Sequence, residues 1–218
     1  MDNFDVDVKA PVAEISDEQL TLFDAVKEEY ISSYGDNPVI IESVNWLINE
    51  LKPNSAILDL GCGTAQLTAP EIVKANHSFT GIDSSEEMLK IAKKITPTAE
   101  FLHMDFSALD LDKKYDAVTA YFSLLMLPKN MITVTLKSLA DIINKDGYLI
   151  ISMVQGDFDY IEIPFFSKKA RASAYLTEDL KLVVESMGFE VVKIDEYAYT
   201  PEDNAPVEVQ QFFYFKRK

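Results

Sequence analysis

Residues 57–67, Ile-Leu-Asp-Leu-Gly-Cys-Gly-Thr-Ala-Gln-Leu, join an acid and two glycines at the end of an apolar run. The run reads as strand, tight turn, helix. That order gathers backbone N–H groups near a polar or anionic cofactor. Gly61 can take a dihedral that a side chain forbids, and Gly63 leaves room for a ligand against the backbone. A dinucleotide loop wants a third glycine three residues after the second. Gln66 stands there, and the third small residue is Ala65. Asp59 lies inside the apolar run, where an acid is costly unless hydrogen-bonded. It is expected to be buried, bonded and at the edge of a site, without doing chemistry. Cys62, the single cysteine, is expected in backbone contact with the ligand rather than as a nucleophile.

Two further acids end apolar runs. Asp83 closes Thr80-Gly81-Ile82-Asp83, and Asp105 sits in His103-Met104-Asp105-Phe106. The elements that must position them alternate. Strands are expected at about 56–60, 78–83, 100–105, 116–122 and 148–154. Helices follow Ser84, with Glu87 in the capping-box position, and span roughly 130–144 and 177–187. Such alternation implies a parallel sheet covered on both faces. Gly188 ends the last helix. Two strands close the chain at 189–199 and 209–215, joined by a loop at 201–206. Ahead of the sheet, Ser16 and Gln19 open a helix whose apolar positions are Leu20, Phe23, Val26, Tyr30 and Tyr34. Pro38 opens a second, with Ile41, Val44, Leu47, Ile48 and Leu51 on its apolar face. Pro70 should shorten, kink or restart the helix after the glycine loop.

The 218 residues carry a net charge of −16, and 48% are hydrophobic. One well-buried domain fits that length. The acidity disfavours nucleic acid and anionic membranes as partners. It reads as solubility, or as steering of a cationic substrate. One cysteine excludes a disulfide framework and suits a reducing, cytoplasmic setting. No apolar stretch reaches the roughly 18 residues of a membrane span. No metal-ligand spacing stands out. Residues 1–15 read as a loose acidic arm and 16–218 as one domain. Its parts are a helical cap (16–54), a core (55–154), a lid segment (155–175) and closing elements (176–218).

With an acid two before the first glycine, the string 57–67 resembles motif I of the class I S-adenosylmethionine-dependent methyltransferases. Thr80–Ser84 resembles motif II, and the likeness extends over about 55–218. It implies an α/β, doubly wound, Rossmann-like, seven-stranded, mostly parallel sheet with a final antiparallel strand. It implies S-adenosylmethionine as cofactor, with Asp59, Gly61, Cys62, Gly63, Asp83, Ser84, Met88, Asp105, Phe106 and Tyr121 about it. In this family the second acid, here Asp83, accepts from the ribose hydroxyls; a helix N-terminal acid is the plainer reading. Met88 would lie on the adenine or simply in the core. Asp105 would accept from the adenine amine. Tyr121 holds the motif IV position facing the methyl.

Methyl transfer from a sulfonium needs alignment more than a base. Tyr121, His103 and Tyr160 are the weak candidates for catalysis. The acceptor is expected to be a small, partly apolar molecule, methylated at oxygen or nitrogen. Its contacts are expected from Tyr30, Tyr34, Gln155, Phe158, Tyr160, Phe165, Phe166 and Arg171. Core packing is the alternative for the tyrosines of the first helix, and a hydrophobic cap for the lid. A non-methylating cyclase or regulatory binding protein that keeps the cofactor is the competing function. The chain is expected to be a monomer or homodimer.

Overall fold

A computed structural model describes residues 15–106, 109, 111–200 and 207–218. The expected acidic arm and the loop 201–206 lie outside the described residues, apart from Ile15. Seven strands form one sheet: β1 (Ala56–Leu60), β2 (Ser78–Asp83), β3 (Glu100–His103), β4 (Tyr115–Tyr121), β5 (Ile143–Val154), β8 (Phe189–Tyr199) and β9 (Glu208–Arg217). Their order is β3-β2-β1-β4-β5-β9-β8. β9 runs antiparallel to β5 and β8, which flank it, while the pairs from β3 to β5 are parallel. This is the expected sheet, final antiparallel strand included.

Residues 57–60 are all buried, as strands covered on both faces must be. Alternate residues feed two cores. Leu58, Leu60, Val118, Ala120, Leu149 and Ile151 pack with α7 (Lys129–Ile142) and α8 (Thr177–Glu185). Ile57, Ala117, Ile150 and Phe212 pack with α4 (Pro38–Glu50), α5 (Ala69–Lys74) and α6 (Glu86–Ile95). β1 and β4 are neighbours, but the chain leaves them in opposite directions across the sheet. The crevice at their carboxyl ends is where open α/β sheets bind ligands.

Several local expectations need correction. The first helix is three short pieces, α1 (Asp17–Leu20), α2 (Leu22–Ala25) and α3 (Lys27–Tyr34). Thr21 bonds back to the Asp17 carbonyl, and Val26 sits at φ −112°, outside helical geometry. Ser16 Oγ does accept from Gln19 N–H, but the Gln19 amide goes elsewhere, so the reciprocal half of the capping box is not made. Ser85, not Ser84, caps α6 through Met88 N–H. On α4, Val44 and Leu47 are buried with Ser43, while Ile41 faces solvent. Pro70 lies in the first turn of α5, so the glycine loop runs on to Thr68 before helix begins.

The largest departure is the lid. The segment expected as a lid, whose periodicity is weak, forms a hairpin, β6 (Phe158–Phe165) with β7 (Lys168–Ala174). It packs on the cap through Leu22, Val26 and Ala170, bordered by Tyr30, Ile163, Phe165 and Phe166. The two segments expected to cover the site therefore rest on each other.

Candidate active site

Three acids line the crevice, and two of them, Asp59 and Asp83, are held differently. Asp59 shares a strand face with Ile57, beneath the start of α5. Its Oδ1 accepts from Thr119 Oγ1 at 2.7 Å and its Oδ2 from Thr68 Oγ1 at 2.8 Å. Burial raises its pKa to about 6, against the pull of those two hydroxyls. The expected bonded acid is there, held by threonine hydroxyls.

Asp83 Oδ2 accepts from Gly63 N–H and its Oδ1 from Ser85 N–H, both at 2.8 Å. The acid thus pins the glycine loop to the start of α6. A carboxylate has about four lone-pair sites, so acceptor capacity remains. Burial raises its pKa, and the two N–H groups oppose that rise. Gly61 and Cys62 N–H groups both bond the Ile82 carbonyl, which locks the loop against β2. Gly61 has φ +67°, and a Cβ there would stand 2.5 Å from Ser123 Cβ. Gly63 has φ +54°, and a Cβ there would meet open space. So Gly61 is needed for the turn's fit, whereas Gly63 leaves its space to a ligand.

The first cavity is lined by Gly61, Gly63, Asp83, Ser84, Met88, Asp105, Phe106, Tyr121 and Tyr30 among others. A second, sharing Gly61, Gly63, Tyr30 and Tyr121, adds Asp59, Cys62 and Tyr34. All ten residues expected about the cofactor therefore line one or other space. Both spaces are narrow, about 70 Å³ each, with the cap residue Tyr30 on their walls. A third cavity of about 520 Å³ lies under the hairpin and includes Tyr30, Tyr34, Phe158, Phe165 and Phe166. Phe23, Tyr30, Phe122 and Met126 line both the first and the third.

Three expected acceptor contacts are not on these walls. Gln155 is exposed and bonds Thr177 and Glu196. Arg171 is exposed, exchanging bonds with Gln19 and donating to the Tyr160 carbonyl. Tyr160 sits at φ +50° with the Arg171 guanidinium 5.7 Å from its ring. Gln155 precedes the hairpin, and the register shift between Phe158 and Ile161, where Tyr160 takes its positive φ, breaks the alternation of β6 so that Tyr160 leaves the chamber that Phe158, Ile163 and Phe165 line.

The candidates for catalysis fare likewise. His103 is exposed, against the Ser84 carbonyl and Glu86. Tyr121 O–H and Ser43 Oγ share a 2.9 Å hydrogen bond, and burial pushes the phenol well above its ordinary pKa. Burial, then Asp83 and Asp59, raise Tyr30 to about 12. Burial and the same acids keep the Cys62 thiol protonated. Among the described residues no cluster of three or more His, Cys, Asp or Glu could hold a metal ion.

Sequence reading placed Phe122 and Ser123 in the motif IV string, Tyr121-Phe122-Ser123-Leu124, but gave neither a role. Ser123 is buried on the first cavity, and its Oγ has no partner among the described residues. Phe122 occupies φ +51°, held by Ser152 through its N–H. Strain of that kind in a non-glycine residue concentrates at ligand sites. Their place directly after the motif IV tyrosine was the available signal.

Residues 57–147 match the family model described as Methyltransferase domain. The demethylmenaquinone methyltransferase of Thermotoga maritima is 36% identical over 110 residues, 47% of this chain and 48% of that protein. The chain spans about half the length, or less, of the curated relatives it matches at this identity or near it. Among solved structures, the magnesium protoporphyrin IX methyltransferase of Synechocystis, with bound S-adenosylmethionine, superposes with a TM-score of 0.71. It is 18% identical and the match covers 94% of this chain and 99% of that one. The cyclase SpnF has the same fold at a TM-score of 0.69 and 17% identity, over 90% of this chain and 94% of its own. The strand order, the closing antiparallel strand and the glycine loop are those of the class I S-adenosylmethionine-dependent methyltransferase fold, and residues 57–147 are similar to its methyltransferase domain.

Proposed function

We propose that the chain transfers a methyl group from S-adenosylmethionine to an oxygen or nitrogen of a small-molecule acceptor, mainly by proximity and in-line orientation. One observation carries the reading. The narrow space between the glycine loop, Asp83 and Asp105 shares four wall residues with a roomy aromatic chamber. That is how two reactants are brought together across a short gap. When bound, the cofactor supplies a methyl carbon already activated by a sulfonium.

The lining residues suit such a group. Asp83 keeps lone pairs for hydroxyl donors, Met88 and Phe106 offer apolar faces, and Ser123 offers a hydroxyl without a partner. Tyr30, neutral at working pH, can donate a hydrogen bond and does not serve as a base. Because Tyr30 and Phe23 wall the narrow space, cofactor entry goes with outward movement of α1–α3. No histidine lines the three cavities, and Tyr121 is held neutral. This chemistry therefore asks the site to orient an amine or an ionised hydroxyl, not to abstract a proton.

Calorimetry with S-adenosylmethionine and its demethylated product tests the cofactor. The expected affinity is micromolar, roughly −8 kcal/mol. Binding of NADH but neither of those two would overturn the reading. The absence of histidine from these walls also suits a cyclase or regulatory protein that retains the cofactor. Labelled S-adenosylmethionine with a cell extract separates them, because only a methyltransferase leaves label on an extract component. The lone thiol and absence of a membrane-length apolar helix among the described residues suit a cytoplasmic enzyme without nucleic acid or membrane partners. A monomer or homodimer serves this chemistry equally well.

A further inference from the structure

The third cavity holds a charge pattern that narrows the acceptor. Its walls are mostly aromatic and aliphatic, and besides the tyrosines their polar members are Asn37, Glu208 and Gln210. There Asn37 Nδ2 donates to Gln210 Oε1 at 3.1 Å, and Gln210 Nε2 donates to Glu208 Oε1 at 2.8 Å. Asn37 is also fixed, its Oδ1 taking Val39 N–H at the start of α4. Asn37 and Gln210 are each 1% exposed, so this relay is built into the floor where α4 meets β9. It ends on the carboxylate of Glu208, which is half-buried at the start of β9.

Among the described residues no lysine, arginine or histidine lines any of the three cavities, whereas Asp59, Asp83, Asp105 and Glu208 do. The nearby cations are engaged outside. Lys169 pairs with Glu162, Lys129 with Asp157, and Arg171 with the Tyr160 carbonyl. An anion entering the chamber would lose water and meet only like charge.

We propose that the acceptor is a bulky, largely apolar molecule that is neutral or cationic, never anionic, and that it points an ammonium or hydroxyl donor at Glu208. A volume of about 520 Å³ admits a molecule of several fused rings. The proposal rests on the third cavity being the acceptor site of the function proposed above. Gln210 holds one Glu208 oxygen and thereby aims the rest of the carboxylate. Phe23, Tyr30, Phe122 and Met126 then face the apolar body of the ligand at the end next to the cofactor space.

The test uses the full chain saturated with S-adenosylhomocysteine and three fluorescent probes of one shape. These are anthracene carrying an aminomethyl, a hydroxymethyl or a carboxylate group, titrated by fluorescence anisotropy. The amine and alcohol are expected to bind at least about tenfold more tightly than the carboxylate. Glu208→Gln should bring the carboxylate to within about threefold of the alcohol. Glu208→Lys should invert the order of amine and carboxylate. Equal binding of all three, absence of binding by any, or an order untouched by Glu208→Gln overturns the proposal. The wild-type series alone decides the charge preference if a variant does not fold. The calorimetric cofactor titration is separate. Loss of cofactor binding with the probe order intact refutes the methyltransferase reading and leaves the chamber's preference standing.

Discussion

Asp83 carries two duties, and they can be separated by substitution. Its carboxylate ties Gly63 and Ser85 N–H groups together, and it is the expected acceptor for two hydroxyl donors of the cofactor. Asp83→Ala should therefore lower S-adenosylhomocysteine affinity about thirtyfold, on the order of 2 kcal/mol, and lower the melting temperature too. Asp105→Ala, expected to release a single amine donor, should cost distinctly less affinity. Equal or reversed losses in calorimetry would show the two acids to be misassigned. Ser123 gives the converse case. Its buried hydroxyl has no partner among the described residues, so Ser123→Ala removes nothing the folded chain uses. The expected result is an unchanged or raised melting temperature with severalfold weaker cofactor binding. A destabilised protein that binds normally would make that hydroxyl structural. Residues of this kind show where sequence is legible. Gly61, Gly63, Asp59 and Asp83 announced themselves because turn geometry and burial admit few residue types at those places. Ser123, Gln210 and Glu208 did not, because nothing in a serine, an amide or an acid says which chamber tertiary packing will build around it.

The same contrast holds for elements. β1, β2 and β8 matched their expected bounds because buried strands between turn residues leave little latitude. The cap did not read as three pieces, since helical spacing of apolar residues survives a break at Thr21 or Val26. The hairpin escaped notice because β6 mixes acids with aromatics and a register shift after Phe158 breaks its alternation. Once formed, cap and hairpin are one cover. Gln19 bonds the Arg171 backbone in both directions, Ser167 Oγ donates to Glu29, and Phe165 lies edge-on to Phe23 at 5.8 Å. The cover is also tied to the cofactor side, by Gln66 to the Gly35 carbonyl, by Ser85 to Asp24, and by Lys27 to Glu87 at 3.4 Å. Phe165→Ala should thus lower turnover or change acceptor choice while cofactor affinity stays within a few fold. Tyr160→Ala, off the chamber wall, should do neither. If Phe165 were merely structural, its truncation would cost roughly 3–5 kcal/mol and weaken every function together. Melting temperature, cofactor affinity and turnover on both variants decide the matter.

At the scale of the whole molecule, net charge and buried acids act on stability in the same direction. With a charge of −16, the folded chain repels itself, and protonating acids relieves that. Asp59 adds a term of its own. Its carboxyl titrates near 3.8 when unfolded and about 6 when folded. Below the first value it is neutral in both states, and its burial costs no charge. Between the two, the folded chain keeps a proton that the unfolded chain has lost, so stability falls as pH rises. Above about 6 the buried charge is fully present, a penalty on the order of 3 kcal/mol. Asp59→Asn isolates this from the surface charge, which it changes by a single unit. Asparagine can still accept from Thr119, and Thr68 Oγ1 can turn to the Ala65 carbonyl, 3.4 Å away. The melting temperature of Asp59→Asn minus that of the parent chain should therefore grow between about pH 4 and about pH 7, by several degrees. A difference that stays constant over that range would mean that Asp59 is ionised throughout, and that its two hydroxyl donors hold the charge better than its burial opposes it.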